Sequence, residues 1–280
     1  MQTLGKNKST STPKKQERNV RKTKTTKPDH QLQGPAGTLH IDDGGKGEIA
    51  IVFVHSFGGS TEHWRKQLDH VRANYRAIAL DFRGHGQSER PRELKYTPED
   101  LAQDIAAVVD DLQLDHFILV AHSMGGHAAV AYASQHPERV SALLLSGTPG
   151  KTPAEISKQV TAALESPAYQ KVMDDYMHQL LTESRPEIAE VLIKDFQAIP
   201  KDETISIIKG LFEFDPLPKI DKYKGPLLLV VSGAESKQPG TLQSQLPNAD
   251  FKVIDHAGHW TQLDQPEAFN QILDSFLAGH

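Results

Sequence analysis

The 280-residue chain is 38% hydrophobic and carries a formal net charge of −5, so it is long enough to bury the core of one large domain with an insertion. It contains no cysteine, which excludes disulfide bonds, a cysteine nucleophile and zinc sites with cysteine ligands. No apolar stretch reaches the ~18 residues of a membrane-spanning helix, and we predict none.

The first 36 residues differ in composition from the rest. They hold nine Lys or Arg against two acidic residues, a net charge of +7, and leave −12 on the remainder. Because they also contain few large apolar residues, we predict a disordered basic tail over 1–36. An alternative role for it is attraction to nucleic acid or a membrane surface, or an address signal. The tail lacks the apolar segment of a secretory signal, so we expect a cytoplasmic protein, with secretion left open.

The body alternates strand and helix patterns. After a hairpin strand at 37–42, continuous β-branched or apolar runs typical of strands buried on both faces end at positions 55, 82, 120, 145, 232 and 254. Helical periodicity follows most of them, and Thr97 before Pro98 marks one helix start. This order predicts an α/β fold with a mostly parallel central sheet flanked by helices. The acidic body argues against nucleic acid as its main partner.

The pattern changes after Gly150. Residues 151–213 have helical periodicity, many charges and no strand-like run, with breaks at 166–167, 185–186 and Pro200. We therefore predict a core formed by 37–150 and 214–280, interrupted by a helical cap, or lid, over 151–213.

A candidate catalytic residue lies where the third buried strand ends. The sequence Ala121-His122-Ser123-Met124-Gly125 joins that strand to a segment rich in small residues. Strand, sharp turn with Ser at its tip, and helix is the layout of a nucleophile elbow. The alternative is an ordinary strand-to-helix turn without catalysis.

Three further motifs accompany the elbow in chain order. They are His55-Ser-Phe-Gly-Gly59 after the first buried strand, Asp81-Phe-Arg-Gly-His-Gly86 after the next, and Ala257-Gly-His-Trp260 near the C-terminus. Together these motifs make residues 37–279 resemble the α/β-hydrolase fold superfamily, and most of all its capped serine esterase, haloperoxidase-like and meta-cleavage hydrolase branch.

The resemblance implies roles for specific residues. Ser123 is the nucleophile and His259 its general base, with His256 as a rival. The backbone N–H groups of Phe57 and Met124 form the oxyanion hole. Ser56 stands where the family usually has Gly. Because Ser restricts the backbone more than Gly does, the position of the Phe57 N–H group is to be checked in the structure.

The acid of the triad departs from the family pattern. Ser236 occupies the position at which Asp is expected, and Glu235 directly precedes it. We predict Glu235 as the acid, because its side chain is one methylene longer than that of Asp, which compensates for a position one residue earlier. The alternatives are no acid, or one from elsewhere such as Asp215. Asp264 is predicted to cap the last helix.

Pocket residues are less specific. Trp64, His122 and Trp260 lie within or beside the motifs and are candidates for the pocket wall, with burial in the core as the alternative for each. Candidates from the cap share a large side chain and helical spacing: Tyr169, Met173, Tyr176, Met177 and Phe196.

The sequence thus predicts a serine hydrolase that cleaves small to medium carboxylic esters through an acyl-enzyme, with no cofactor and no metal. Carbon–carbon bond (meta-cleavage type) hydrolysis or perhydrolysis on the same site is an alternative, although His122 replaces the Asn that often precedes Ser in the carbon–carbon hydrolases. A low-turnover ligand-binding receptor on a hydrolase scaffold is another, motivated by Ser236. The expected partner is a small ester-like molecule, and the oligomeric state stays open.

Overall fold

The first strand begins earlier than the sequence predicts. The computed structural model describes residues 30–280, so most of the predicted tail lies outside the described residues. Strand β1, His30–Gly34, and strand β2, Gly37–Gly45, form an antiparallel hairpin in which His30 faces Ile41. The prediction of a tail up to residue 36 was therefore wrong at its end, because Leu32 is buried against the core despite its polar neighbours.

A single eight-stranded sheet forms the centre of the described chain, with the strand order β1-β2-β4-β3-β5-β6-β7-β8. From β3 onwards all pairings are parallel, and β2 runs antiparallel to β4. The prediction of a mostly parallel sheet is confirmed. The remaining strands are β3 Ala50–Val54, β4 Arg76–Leu80, β5 Phe117–His122, β6 Val140–Ser146, β7 Leu227–Ser232 and β8 Asp250–Ile254.

Helices connect the parallel strands and cover both faces of the sheet. The segment after β3 starts as a short 3-10 turn, Thr61–Trp64, before α1. Thr97 caps α2 as predicted, since its hydroxyl accepts a hydrogen bond from the Asp100 N–H and the Asp100 side chain bonds back. The core helices are α1 Arg65–Val71, α2 Pro98–Asp111, α3 Met124–Gln135, α8 Leu217–Ile220, α9 Leu242–Gln245, α10 Thr261–Asp264 and α11 Pro266–Leu277.

Four of the five helices between β6 and β7 lie in the stretch predicted to form a cap. The predicted breaks separate them: α4 ends three residues before Pro167, α6 begins at Pro186, and α6 ends three residues before Pro200. Pro fits the first turn of a helix but cannot continue one. We call this segment the helical insertion; it comprises α4 Ala154–Leu164, α5 Tyr169–Leu180, α6 Pro186–Gln197 and α7 Lys201–Glu213. Among the described helices, none is long and apolar enough to cross a membrane.

The alternation of side chains along each strand divides the core into two layers. In β3, Val52 and Val54 belong to the layer that also contains α2, α3 and the insertion. Ile51 and Phe53 belong to the opposite layer, with Trp64 and Phe269. The carboxyl ends of β3, β5, β7 and β8 meet at one edge of the sheet, which is where open α/β sheets bind ligands.

Candidate active site

Ser123 lies in a strained turn between β5 and α3. Its φ and ψ angles are 53° and −114°, in a region that residues other than Gly rarely adopt. The turn is held by a hydrogen bond of 2.9 Å from the Ser123 N–H to the Ser146 carbonyl of β6. The residue is 7% exposed and lies at the edge of the sheet, in the strand–turn–helix position of a nucleophile elbow.

Small residues after Ser123 allow α3 to approach the sheet closely. A Cβ atom on Gly125 would lie 2.5 Å from the His55 carbonyl oxygen and 2.9 Å from that of Val54. Both atoms belong to the backbone at the end of β3, so they cannot rotate away. The next residue, Gly126, packs against the side chain of Thr148 in the same manner.

Gly125→Ala is therefore expected to destabilise the fold by about 3 kcal/mol, because the added methyl group overpacks a rigid site. Urea unfolding followed by circular dichroism measures this loss. Gly279→Ala is the matched control, since its nearest neighbour, the Phe276 carbonyl, would lie at an ordinary 3.6 Å. Equal unfolding midpoints for the two variants would contradict the packing argument.

A carboxylate lies directly against His259. The distance from Glu235 Oε1 to His259 Nδ1 is 2.5 Å, and both side chains are buried. Glu235 follows β7 in a 3-10 turn, Glu235–Lys237, and its second oxygen accepts a hydrogen bond of 3.0 Å from the Ser232 N–H. A carboxylate in this position favours the tautomer that carries its proton on Nδ1, which leaves Nε2 as an acceptor.

The other residues weighed for the acid and for the base have other partners or lie in solvent. The Ser236 hydroxyl donates to the Gly233 carbonyl at 2.9 Å. Asp215 accepts from the Lys151 ammonium at 2.6 Å and from the Leu217 N–H. His256 is exposed to solvent. Of the carboxylates weighed from the sequence, Glu235 is the one that contacts His259.

Ser123, Glu235 and His259 line the same cavity, of about 540 Å³. No hydrogen bond joins the Ser123 hydroxyl to the His259 ring in this structure; such bonds often form only when substrate is bound. The insertion supplies much of the remaining wall, including Met173 and Tyr176. Three other predicted cap residues, Tyr169, Met177 and Phe196, line a separate cavity of about 630 Å³ within the insertion.

Two backbone donors lie beside the elbow. No acceptor among the described residues binds the N–H groups of Phe57 and Met124. The Phe57 loop is held by its neighbour Ser56, whose hydroxyl accepts a hydrogen bond of 3.0 Å from Trp260 Nε1 and donates to the Phe57 carbonyl at 3.3 Å. The serine that replaces the usual glycine therefore links this loop to the residue that follows His259.

Comparison with known proteins agrees with this geometry. A family model described as the alpha/beta hydrolase fold matches residues 49–179. A thermophilic esterase from Thermogutta terrifontis shares the fold with a TM-score of 0.76 at 22% identity, over 90% of this chain and 99% of that one. Residues 49–179 thus match the α/β-hydrolase family, and the described chain has the α/β-hydrolase fold.

Other relatives of this α/β hydrolase differ in their reactions. A solved N-acyl homoserine lactone degrading enzyme is 26% identical, with a TM-score of 0.76, over 88% of this chain and 100% of its own. The 2-hydroxy-6-oxononadienedioate/2-hydroxy-6-oxononatrienedioate hydrolase of Paraburkholderia phymatum is 29% identical over 262 residues, which cover 85% of this chain and 90% of the relative. The comparisons thus support a hydrolase that acts on a small molecule.

The three pocket candidates of this α/β hydrolase lie in its core instead. Trp64 packs against Phe53 and Phe269 on the opposite layer of the sheet. His122 is fully buried beneath His259, where its Nε2 contacts the His259 carbonyl oxygen at 3.0 Å. Trp260 is enclosed by Ser56 and the insertion. None of the three lines the cavity of Ser123, because proximity in sequence to a motif does not fix the layer into which a side chain points.

Asp264 is the functional neighbour that sequence reasoning missed. Its buried carboxylate does not cap α11 as predicted. It accepts hydrogen bonds of 2.9 Å each from the Gly258 N–H, the Ser184 hydroxyl and the Arg185 N–H. The α5–α6 connection is thereby fixed to the residue before His259. Two of these contacts span about 80 residues, and no local pattern in the sequence signals them.

Four buried histidines make the stability of this α/β hydrolase sensitive to acid. Burial lowers the pKa of His55 to about 3 and that of His127 to about 4, and also lowers the pKa values of His85 and His122. In the unfolded chain each histidine binds a proton below about pH 6.5, whereas in the folded chain it stays neutral. Stability is therefore complete above that pH and is lost as the pH falls, by roughly 2 kcal/mol at pH 5 for each of His55 and His127, with further losses from His85 and His122.

Urea unfolding at pH 7.5, 6 and 5 tests this dependence in a range where most carboxylates stay ionised. The free energy of unfolding should fall by about 5 kcal/mol or more, and His127→Asn should show a shallower fall than the parent protein. A free energy that does not change with pH would contradict it.

Within residues 30–280, no group of three or more His, Asp or Glu side chains is arranged to hold a metal ion.

Proposed function

We propose that the protein is a serine hydrolase that cleaves small to medium carboxylic esters through an acyl-enzyme on Ser123. The observation that carries the proposal is the contact of 2.5 Å between Glu235 and His259, at a cavity that Ser123 also lines. A serine hydroxyl is a poor nucleophile at neutral pH unless a base lies beside it. Nucleophile, base and orienting acid thus occur in the chain order Ser, Glu, His that this fold uses.

In the proposed reaction, Ser123 Oγ attacks the acyl carbon while His259 Nε2 accepts the hydroxyl proton. The Phe57 and Met124 N–H groups stabilise the negative charge that develops on the acyl oxygen. His259 then donates its proton to the leaving alcohol, and the ester bond breaks. Water, activated by the same histidine, releases the acid and restores Ser123. The Glu235 carboxylate stabilises the imidazolium in both halves of the reaction.

We also infer that the helical insertion, 151–213, is a cap on a core formed by 37–150 and 214–280. Its helices α4, α5 and α7 contribute lining residues to the cavity of Ser123. The His259 N–H donates a hydrogen bond of 3.1 Å to the Leu180 carbonyl at the end of α5, so the insertion also contacts the loop of the proposed base.

Carbon–carbon bond hydrolysis is a second candidate, which the 29% identical relative favours. The two reactions share Ser123 and His259, so substrate assays decide between them. Turnover of a vinylogous 1,5-diketone with at least ten times the kcat/KM of an ester of the same size would favour the carbon–carbon reaction.

Labelling with a fluorophosphonate tests the proposal. One adduct on the peptide that contains Ser123 is expected, together with Ser123-dependent hydrolysis of p-nitrophenyl butyrate. Heat-denatured protein is the control, because an unfolded serine is not activated. Esters that bind without Ser123-dependent turnover would contradict the proposal and favour the receptor hypothesis.

The Ser56–Trp260 hydrogen bond predicts an effect of its own. Ser56→Ala should lower kcat about tenfold with little change in KM, because the loop that carries the Phe57 donor loses its hydrogen bond to Trp260. A donor that is misplaced in the transition state lowers kcat and leaves substrate binding largely unchanged. Trp260→Phe should have a similar effect, and the double variant should be no worse than either single variant. Steady-state kinetics measure this; additive losses would contradict the coupling.

A further inference from the structure

The wall that the insertion adds to the active-site cavity is mostly apolar. Helices α4, α5 and α7 line it with Val160, Leu164, Met173, Ile208 and Leu211. Leu164, Ile208 and Leu211 are buried, so this part of the wall is shielded from bulk water. Surfaces of this kind favour hydrocarbon, because binding removes apolar area from water.

The charged groups at the cavity, apart from the Glu235–His259 pair, are already neutralised. Lys151 forms an ion pair of 2.6 Å with Asp215, and Asp175 forms one of 2.7 Å with Lys171. No arginine occurs among the described residues that line the cavity. A carboxylate on the acyl group of a substrate would therefore enter an apolar space without an unpaired cation, which carries a large desolvation cost.

Tyr176 adds a neutral polar group to the wall. It lies on α5 and lines the cavity, and its hydroxyl forms no hydrogen bond with the described residues. Burial raises the pKa of this phenol to about 12, so at neutral pH it is uncharged and has its proton available. The side chain is half-buried, so its hydroxyl can donate this proton to a ligand in the cavity.

We propose that the cavity accepts an uncharged, largely apolar acyl group that carries one neutral oxygen, an oxo or hydroxyl substituent, to which Tyr176 donates a hydrogen bond. This inference rests on the proposed function for the position of the ester at Ser123. It assigns the substrate class to monocarboxylic esters and lactones with such a substituent, and it excludes monoesters of dicarboxylic acids, whose free carboxylate is charged.

Six-carbon methyl esters that differ in one feature test the inference: methyl hexanoate, methyl 4-oxohexanoate, methyl 5-oxohexanoate and monomethyl adipate. Dissociation constants are measured by ligand-detected NMR on Ser123→Ala, and kcat/KM on the parent protein. Methyl hexanoate should bind at least about 30-fold more tightly than monomethyl adipate at pH 7.5. The better oxo ester should gain a further factor of about five over methyl hexanoate, equivalent to one net hydrogen bond.

Tyr176→Phe on the same background should abolish the advantage of the oxo ester and leave the affinity for methyl hexanoate within about twofold. Tyr169→Phe, on the same helix but outside this cavity, is the matched control and should retain the advantage. The inference is overturned if monomethyl adipate binds as tightly as methyl hexanoate, if no oxo ester has an advantage, or if the advantage survives in Tyr176→Phe. The expected binding pattern without turnover by the parent protein would instead overturn the proposed function alone.

Discussion

Replacing Ser123 with alanine should lower kcat for p-nitrophenyl butyrate by about 10⁶-fold, as loss of the nucleophile does in a well-studied serine hydrolase. The alanine side chain removes Oγ, so no acyl-enzyme forms and His259 has no hydroxyl to activate. Because the strained backbone at Ser123 is fixed by the Ser146 carbonyl and by α3, the fold should persist. Rapid-mixing assays of the parent protein and long-time assays of the variant together cover the expected range of kcat.

Ser134→Ala provides the comparison for that variant. Ser134 lies on the same helix, α3, and its hydroxyl bonds only to the Ala131 carbonyl. Its kcat should stay within about twofold of the parent value, in keeping with a substitution away from the site. If Ser123→Ala retained more than about a thousandth of the parent kcat, the acyl-enzyme mechanism would be wrong.

Replacing Glu235 with glutamine should lower kcat by about 10⁴-fold, with a much smaller change in KM. The amide has nearly the same shape as the carboxylate. It cannot stabilise the imidazolium, and its NH₂ group favours the tautomer in which Nε2 carries the proton. Steady-state kinetics at pH 7 to 9 measure the loss.

Ser236 supplies two companions for this experiment. Ser236→Ala should leave kcat within about twofold, since its hydroxyl contacts the Gly233 carbonyl and not His259. The double variant Glu235→Ala/Ser236→Asp places a carboxylate where the family usually has one, and should recover part of the activity that Glu235→Ala loses. A fall in kcat of less than about tenfold in Glu235→Gln would show that His259 does not depend on this acid.

The parts of the fold that the sequence predicts are those specified by local pattern. Apolar runs such as 227–231 place the parallel strands, and Thr97-Pro98 marks a helix start that the capping hydrogen bonds then fix. The elbow is predicted because its small residues and its serine lie together in the chain. Glu235 is predicted because it is the one carboxylate in 233–249, between β7 and β8, and its longer side chain allows it to reach the histidine from one residue earlier.

The parts that the sequence did not predict depend on contacts between distant segments. The direction in which the 3-10 turn leaves β3 decides on which side of the sheet Trp64 lies. The indole therefore packs against Phe269 and does not line the cavity. Asp264 has the pattern of a helix cap, but its partners lie 6 and about 80 residues away. The start of β1 depends on pairing with β2, which a short polar stretch does not reveal.

The attachment of the insertion to the histidine loop restricts how a substrate can enter. Asp264 holds Ser184 and Arg185, and Leu180 holds the His259 N–H, so the corner between α5 and α6 cannot lift without moving the base itself. Any opening of the insertion at this corner would therefore displace His259, the proposed base, together with the loop that carries it.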